Sequence, residues 1–102
     1  MDMSSLMKQA QDFQQRMAQL QEELAKKTVT AEAGGGMVKV VVNGRNELLS
    51  IEIEQEVINP DDRAMLQDLI LAAVNEGMRQ AREMVQAEMS RLTGGLKIPG
   101  LM

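Results

Sequence analysis

The chain has no cysteine, no histidine, no tryptophan and no tyrosine, and it holds a single phenylalanine. Without cysteine there is no disulfide framework, no thiolate nucleophile and no thiolate metal site. Without histidine the commonest general base and the commonest metal ligand are both missing. One aromatic residue among 102 excludes the stacking platforms that hold single-stranded nucleic acid. Positive charge is not in excess either: 11 Lys+Arg against 15 Asp+Glu leave a net charge of −4, so bulk charge does not drive the chain onto polyanions. The first twenty residues mix charges with many glutamines, the pattern of neither a signal peptide nor a membrane span. The expectation is a soluble, cytoplasmic, non-enzymatic protein with no cofactor, metal or small-molecule substrate. At this length it forms one domain.

What is present is helical at both ends and strand-like between. Met3, Leu6, Ala10, Phe13, Met17, Leu20 and Leu24 recur at alternating three- and four-residue steps, the rhythm of a coiled-coil seam. This predicts a helix over about residues 3–27, capped by Ser4 or Ser5. At Thr28 the period changes to alternation, and three strands are predicted: residues 28–33, 37–43 and 48–57. The first connection is Gly34-Gly35-Gly36 and the second begins at Asn43-Gly44, which makes a three-stranded antiparallel meander. Asn59-Pro60-Asp61-Asp62 opens a second helix, with a capping Asn, Pro in the first turn and acids at the positive end of the dipole. No strong breaker interrupts it before Gly94-Gly95, so it spans about 33 residues, or ~50 Å. The domain covers residues 1–93, and 94–102 form a flexible tail containing glycine and proline. The fold class is α+β, in the order α-β-β-β-α.

Strands of seven or eight residues span only ~25 Å, so the last helix overhangs the sheet. The expectation is that its end, residues 78–92, pairs antiparallel with residues 1–16 as a projecting two-helix arm. The central strand is apolar on both faces: Val38, Val40 and Val42 on one, Met37 and Val41 on the other. With little volume to bury per chain, this points to a homodimer whose interface includes Met37 and Val41.

Two features invite a chemical reading and do not support one. The triple glycine lacks the Lys-Ser/Thr of a phosphate loop and joins two strands instead of opening a helix. Glu52, Glu54 and Glu56 share an exposed strand face without histidine or an apolar pocket, and they read as solubilising charges that also guard a sheet edge. The methionines at stripe spacing read as core filler. Charge location is more informative. Residues 1–16 balance to zero, residues 78–102 carry +2, and residues 17–77 carry −6.

The element order, the stretch Ala33-Gly34-Gly35-Gly36-Met37-Val38-Lys39-Val40-Val41-Val42-Asn43-Gly44, the Ile58-Asn59-Pro60-Asp61 junction and the Leu92-Thr93-Gly94-Gly95 to Ile98-Pro99-Gly100 tail together resemble the YbaB/EbfC family of bacterial nucleoid-associated proteins. The resemblance runs over essentially the whole chain. It implies a tweezer-shaped homodimer with helical arms, double-stranded DNA binding, and a role in chromosome organisation with effects on transcription or recombination. It carries no DNA-contacting residue onto this sequence. Nothing in the sequence looks like a recognition helix with base-reading side chains, so the expected sequence preference is weak or set by duplex shape. The charge distribution supplies the candidates: phosphate contacts from Lys8, Arg16, Arg79, Arg82, Arg91 and Lys97, with Lys39 and Arg45 of the acidic body contributing little. The alternative is an interaction adaptor whose Met-lined arms clasp a replication or recombination protein.

Overall fold

A computed structural model describes residues 2–92. The predicted tail and Lys97 lie outside the described residues. The first helix, α1, is Met3–Lys26. It is followed by strands β1, Thr28–Ala33, β2, Val38–Asn43, and β3, Leu48–Ile53. Two single-turn 3-10 segments, Gln55–Val57 and Pro60–Asp62, lead into the second helix, α2, Arg63–Leu92. The sheet is antiparallel in the order β1-β2-β3, as the two hairpins required.

The three consecutive glycines between β1 and β2 all hold positive φ, at 64°, 68° and 97°, a run that side chains with a Cβ would resist. Asn59 caps, its side chain accepting from the Asp61 amide at 3.0 Å, but the turn it opens is the 3-10 segment Pro60–Asp62, and α2 follows from it at Arg63. The cap of α1 differs from expectation. Asp2, one position before the helix, accepts from the Ser4 amide at 2.9 Å and the Ser4 hydroxyl at 2.8 Å. A carboxylate there also meets the positive end of the helix dipole, which a serine cap would not exploit. The third strand ends at Ile53, earlier than alternation suggested, and Val57 is buried in the following 3-10 turn. A bulge opposite Val41 and Val42 also sets Leu48, not Leu49, across from Val42.

The core lies between one face of the sheet and α2. Val38, Val40 and Val42 are fully buried there with Ala31, Ala73 and Ala81. The middle of α2 does the covering, joined by Leu66, Leu69, Ile70 and Val74 from its first half, which pack against the core partly buried. Ala73, Gly77 and Ala81 sit at four-residue spacing on the buried side, so the helix backbone approaches β1 and β2 closely. At Gly77 even one methyl group would stand 2.8 Å from Val42 Cγ2 and 2.9 Å from Val40 Cγ2.

This placement overturns the expected pairing of the two helix ends. With its middle on the sheet, α2 reaches only as far as the root of α1, where Lys27 Nζ meets Glu88 Oε1 at 2.5 Å. α1 is buried only towards its C-terminal end, at Leu24. Residues 3–16 are exposed on every side, Met3 at 74% and Phe13 at 65%. The projecting arm is therefore the first half of α1 on its own, and it stretches the chain to 70 × 24 × 17 Å.

Candidate nucleic-acid interface

The arm is aimed by the turn between β2 and β3. That turn is closed by Asn46 N–H donating to Asn43 O and Asn43 N–H donating to Glu47 O, both at 3.0 Å. Asn46 takes a left-handed φ of 63°, a conformation asparagine tolerates. Asn43 is the hub. Only 2% exposed, it accepts at Oδ1 from the Arg45 and Glu47 amides and donates from Nδ2 to Ala25 O and Glu47 Oε1. Its neighbour Gly44 donates its N–H to both Leu24 O at 2.8 Å and Lys27 O at 3.0 Å. A Cβ at Gly44 would lie 2.6 Å from Leu24 O, so the last turn of α1 docks straight onto turn backbone. The dipeptide that marks a hairpin in the sequence thus also anchors the helix that projects.

The candidate cations separate into two groups. Lys8 and Arg16 stand exposed on the arm, with no acidic partner among the described residues. Arg82 on α2 is also exposed and unpaired in the same sense. Arg79 is held instead between Glu76, three residues before it, and Glu83, four residues after. Arg91 pairs with Glu88 at 2.6 Å, and Glu88 also holds Lys27. The Arg79 and Gln80 hydrogen bonds pull the Glu76 carboxyl from 4.5 to about 2. Bonds from Lys27 and then Arg91 hold Glu88 below its ordinary value. These are solvent-exposed networks and add little stability. What they decide is availability: a phosphate reaching Arg79 or Arg91 competes with a carboxylate already in place.

The dimer candidates also part company. Val41 is half-buried on the sheet face away from α2, between Thr30 and Ser50 in register and beside Lys39. Met37 lies in the β1–β2 turn, 42% exposed. The larger bare apolar area is on the α2 side of the sheet. There α2 lies over β1 and β2 and leaves β3 open. Ile51, in register with buried Val40, is 41% exposed, and Leu48 and Leu49 beside it are exposed as well.

The model of the YbaB/EbfC DNA-binding family matches residues 1–96. The chain belongs to the YbaB/EbfC DNA-binding family. Among its relatives in that family, a nucleoid-associated protein of Pelotomaculum thermopropionicum is 61% identical over 98% of this chain and 95% of its own length. One of Desulfotalea psychrophila is 54% identical over 99% and 95%. The crystal structure of an uncharacterized protein of Helicobacter pylori superposes with a TM-score of 0.76 at 27% identity, covering 91% of this chain and 98% of that one. The family is one of DNA-binding proteins, not enzymes.

For a YbaB/EbfC chain the residues that shape the surface are not all cations. Asn43 and Gly44 hold the arm, and reading the sequence assigned them only a turn. The signal was there in the Asn-Gly pair, but the helix end that docks on it is about twenty residues away in sequence. Among the described residues no helix is long and apolar enough to cross a membrane.

Proposed function

We propose that this chain acts as a homodimeric nucleoid-associated protein that binds double-stranded DNA through its phosphates, with little sequence preference, and so contributes to chromosome organisation and gene regulation. Membership of a DNA-binding family over residues 1–96 carries the reading. The geometry supports it in two ways. Lys8 and Arg16 project off the apolar stripe on a helix that the rest of its own chain leaves uncovered, which lets the polar face of the arm lie along a duplex without displacing part of its own body. Arg82 adds an unpaired cation on α2, whereas Arg79 and Arg91 contribute less while their carboxylates hold them. Phosphate contacts carry no base information, so preference comes from duplex shape.

The homodimer is supported by what one chain leaves bare: the β3 side of the α2-facing sheet, at Leu48, Leu49 and Ile51, and the apolar stripe of α1 at Met3, Leu6 and Phe13. A second copy covering the first and pairing with the second would leave two arms on one body. Val41 and Met37 join that interface only if the partner also reaches the opposite sheet face and the glycine turn.

The test is a binding titration on two unrelated duplexes. With two to four phosphates neutralised per dimer, affinity falls about ten- to a hundredfold between 50 and 200 mM salt, equally on both sequences. Binding confined to one sequence, or unaffected by salt, would refute it. Exposed Met3 and Met7 on the arm favour a second reading, a protein client clasped by the arms. Failure of the wild type to bind any duplex would leave that reading in place.

A further inference from the structure

A cleft of about 400 Å3 opens between the β2–β3 turn and α2. Arg45 and Asn46 line it from the turn, and Arg82, Val85 and Gln86 line it from the helix, with the Gly44 backbone and Ala81 at its base. We propose that this cleft is a phosphate site in which Arg45 and Arg82 clamp one backbone phosphate of duplex DNA. The identity of the ligand as DNA rests on the function proposed above, whereas the phosphate chemistry rests on the cleft itself.

Four observations point to an anion. First, two arginines far apart in sequence line one opening, and neither has an acidic partner among the described residues. On the same helix Arg79 and Arg91 each take a carboxylate partner, so acids on α2 are within reach of arginines there. Second, the nearby acids are occupied elsewhere. Glu47 accepts from Asn43 Nδ2 at 2.9 Å, Glu83 is bound to Arg79, and Glu88 is bound to Lys27 and Arg91. Third, one turn either side of Arg82 on its helix stand Met78, Arg79, Val85 and Gln86, none of them acidic. Fourth, the turn that presents Arg45 is fixed. Its amides at Gly44, Arg45, Asn46 and Glu47 are all spent inside the protein. Recognition therefore falls to the side chains, and the backbone from which Arg45 extends does not need ordering when the ligand arrives.

Guanidinium suits this task because its planar fork matches phosphate oxygens two at a time. The amides of Asn46 and Gln86 offer further donors at the rim. The position matters as well. The same turn grips the last turn of α1 through Gly44, so a phosphate held here lies at the root of the arm that carries Lys8 and Arg16. Arg45 thereby changes role. Sequence position put it in the acidic body with Lys39, whereas the fold sets it beside Arg82.

The experiment uses isotopically labelled full-length protein, its Arg45→Ala/Arg82→Ala variant and a Lys39→Ala control. A random-sequence duplex and inorganic phosphate alone are titrated separately, following the arginine Nε–H signals by NMR. Both side chains are exposed, and an otherwise unchanged amide spectrum confirms that the variants are folded. The expected result is that the duplex moves the Arg45 and Arg82 signals and that millimolar phosphate moves the same pair. The double variant binds duplex about tenfold more weakly at 50 mM salt, and Lys39→Ala binds as wild type. The wild-type advantage then shrinks about 3.5-fold per engaged cleft between 50 and 200 mM salt. Duplex binding that leaves both signals still and the double variant unimpaired would overturn the cleft while leaving the DNA-binding reading intact. Phosphate moving both signals with no duplex binding would uphold the cleft and overturn the duplex as its ligand. Silence towards both ligands would overturn the site altogether.

Discussion

Replacing Asn43 tests the hub on which the arm depends. Asn43→Ala removes four hydrogen bonds at once: the two accepted by Oδ1 from the Arg45 and Glu47 amides, and the two donated by Nδ2 to Ala25 O and Glu47 Oε1. Each is worth about 0.5–1.5 kcal/mol net. Arg45 and Glu47 are exposed, so water recovers part of the loss at their amides, and a total of about 2–4 kcal/mol is expected. That is a large share of the roughly 5–15 kcal/mol available to a small domain. Asn43→Asp discriminates the donors from the acceptors. It keeps both accepted bonds but turns a carboxylate towards Ala25 O and the Glu47 carboxylate in a site only 2% exposed. Burial, the like charge of Glu47 and the facing Ala25 carbonyl raise the pKa of the new carboxyl in the folded state and are expected to outweigh the two amide bonds that lower it, leaving it above its unfolded value of about 3.9. The charged form is thus penalised on folding, so the deficit is full above the folded pKa and shrinks as pH falls towards the unfolded one. Urea unfolding at one fixed protein concentration measures both variants, because any self-association makes stability concentration-dependent. The midpoint should drop by about 1–3 M for Asn43→Ala at pH 7, and the gap between wild type and Asn43→Asp should narrow between pH 7 and about pH 4.5. An Asn43→Ala midpoint equal to wild type would refute the hub. An Asn43→Asp deficit independent of pH would refute the placement of its donors.

Gly77→Ala sets helix propensity against packing. Alanine gains about 1 kcal/mol as a helix former, yet its methyl group must displace fully buried Val40 and Val42 at about 1–3 kcal/mol, so thermal unfolding should show a net loss. A rise in stability would mean that α2 rides higher on the sheet. Sedimentation of Ile51→Glu and Val41→Glu locates the dimer face: dissociation by Ile51→Glu alone is expected, whereas a wild-type monomer at low micromolar concentration would dismiss the dimer itself. Arg79→Ala should weaken duplex binding less than Arg82→Ala, because Glu76 and Glu83 already neutralise Arg79; the reverse order in a binding titration would show that those ion pairs open readily. Side-chain carboxyl NMR should find Glu76 ionised well below pH 4.5, with a midpoint of about 2. Since the folded value is depressed, its contribution to stability is present above the unfolded value and is lost as pH falls through that window. A midpoint at the ordinary value would exclude a persistent bond to Arg79.

The element order, the two hairpin connections and the capped turn before α2 were legible in the sequence because each rests on neighbours in the chain. Alternation in residues 38–43, the run of three glycines and Asn59-Pro60 are local statements about backbone and period, and tertiary packing had only to accept them. The full-length resemblance to the DNA-binding family was legible for the same reason. The seating of α2 was not. Ala73, Gly77 and Ala81 look like a thinning stripe in a helical pattern, since a hydrophobic count weights them lightly. Against fully buried Val40 and Val42 they are the residues that permit closest approach, and this drew the sheet under the middle of α2. It left too little helix to accompany residues 3–16 and so made the arm a single helix. The candidate site followed the same rule. Positive residues could be counted along the chain, but whether each faced a carboxylate was a matter of three-dimensional neighbours. Arg79 and Arg91 were answered by acids on their own helix, while Arg45 and Arg82, 37 positions apart in the chain, were brought to one cleft. Local chemistry fixes the elements. Only the depth at which small residues let α2 settle on the sheet decided which surfaces, and which charges, stayed free.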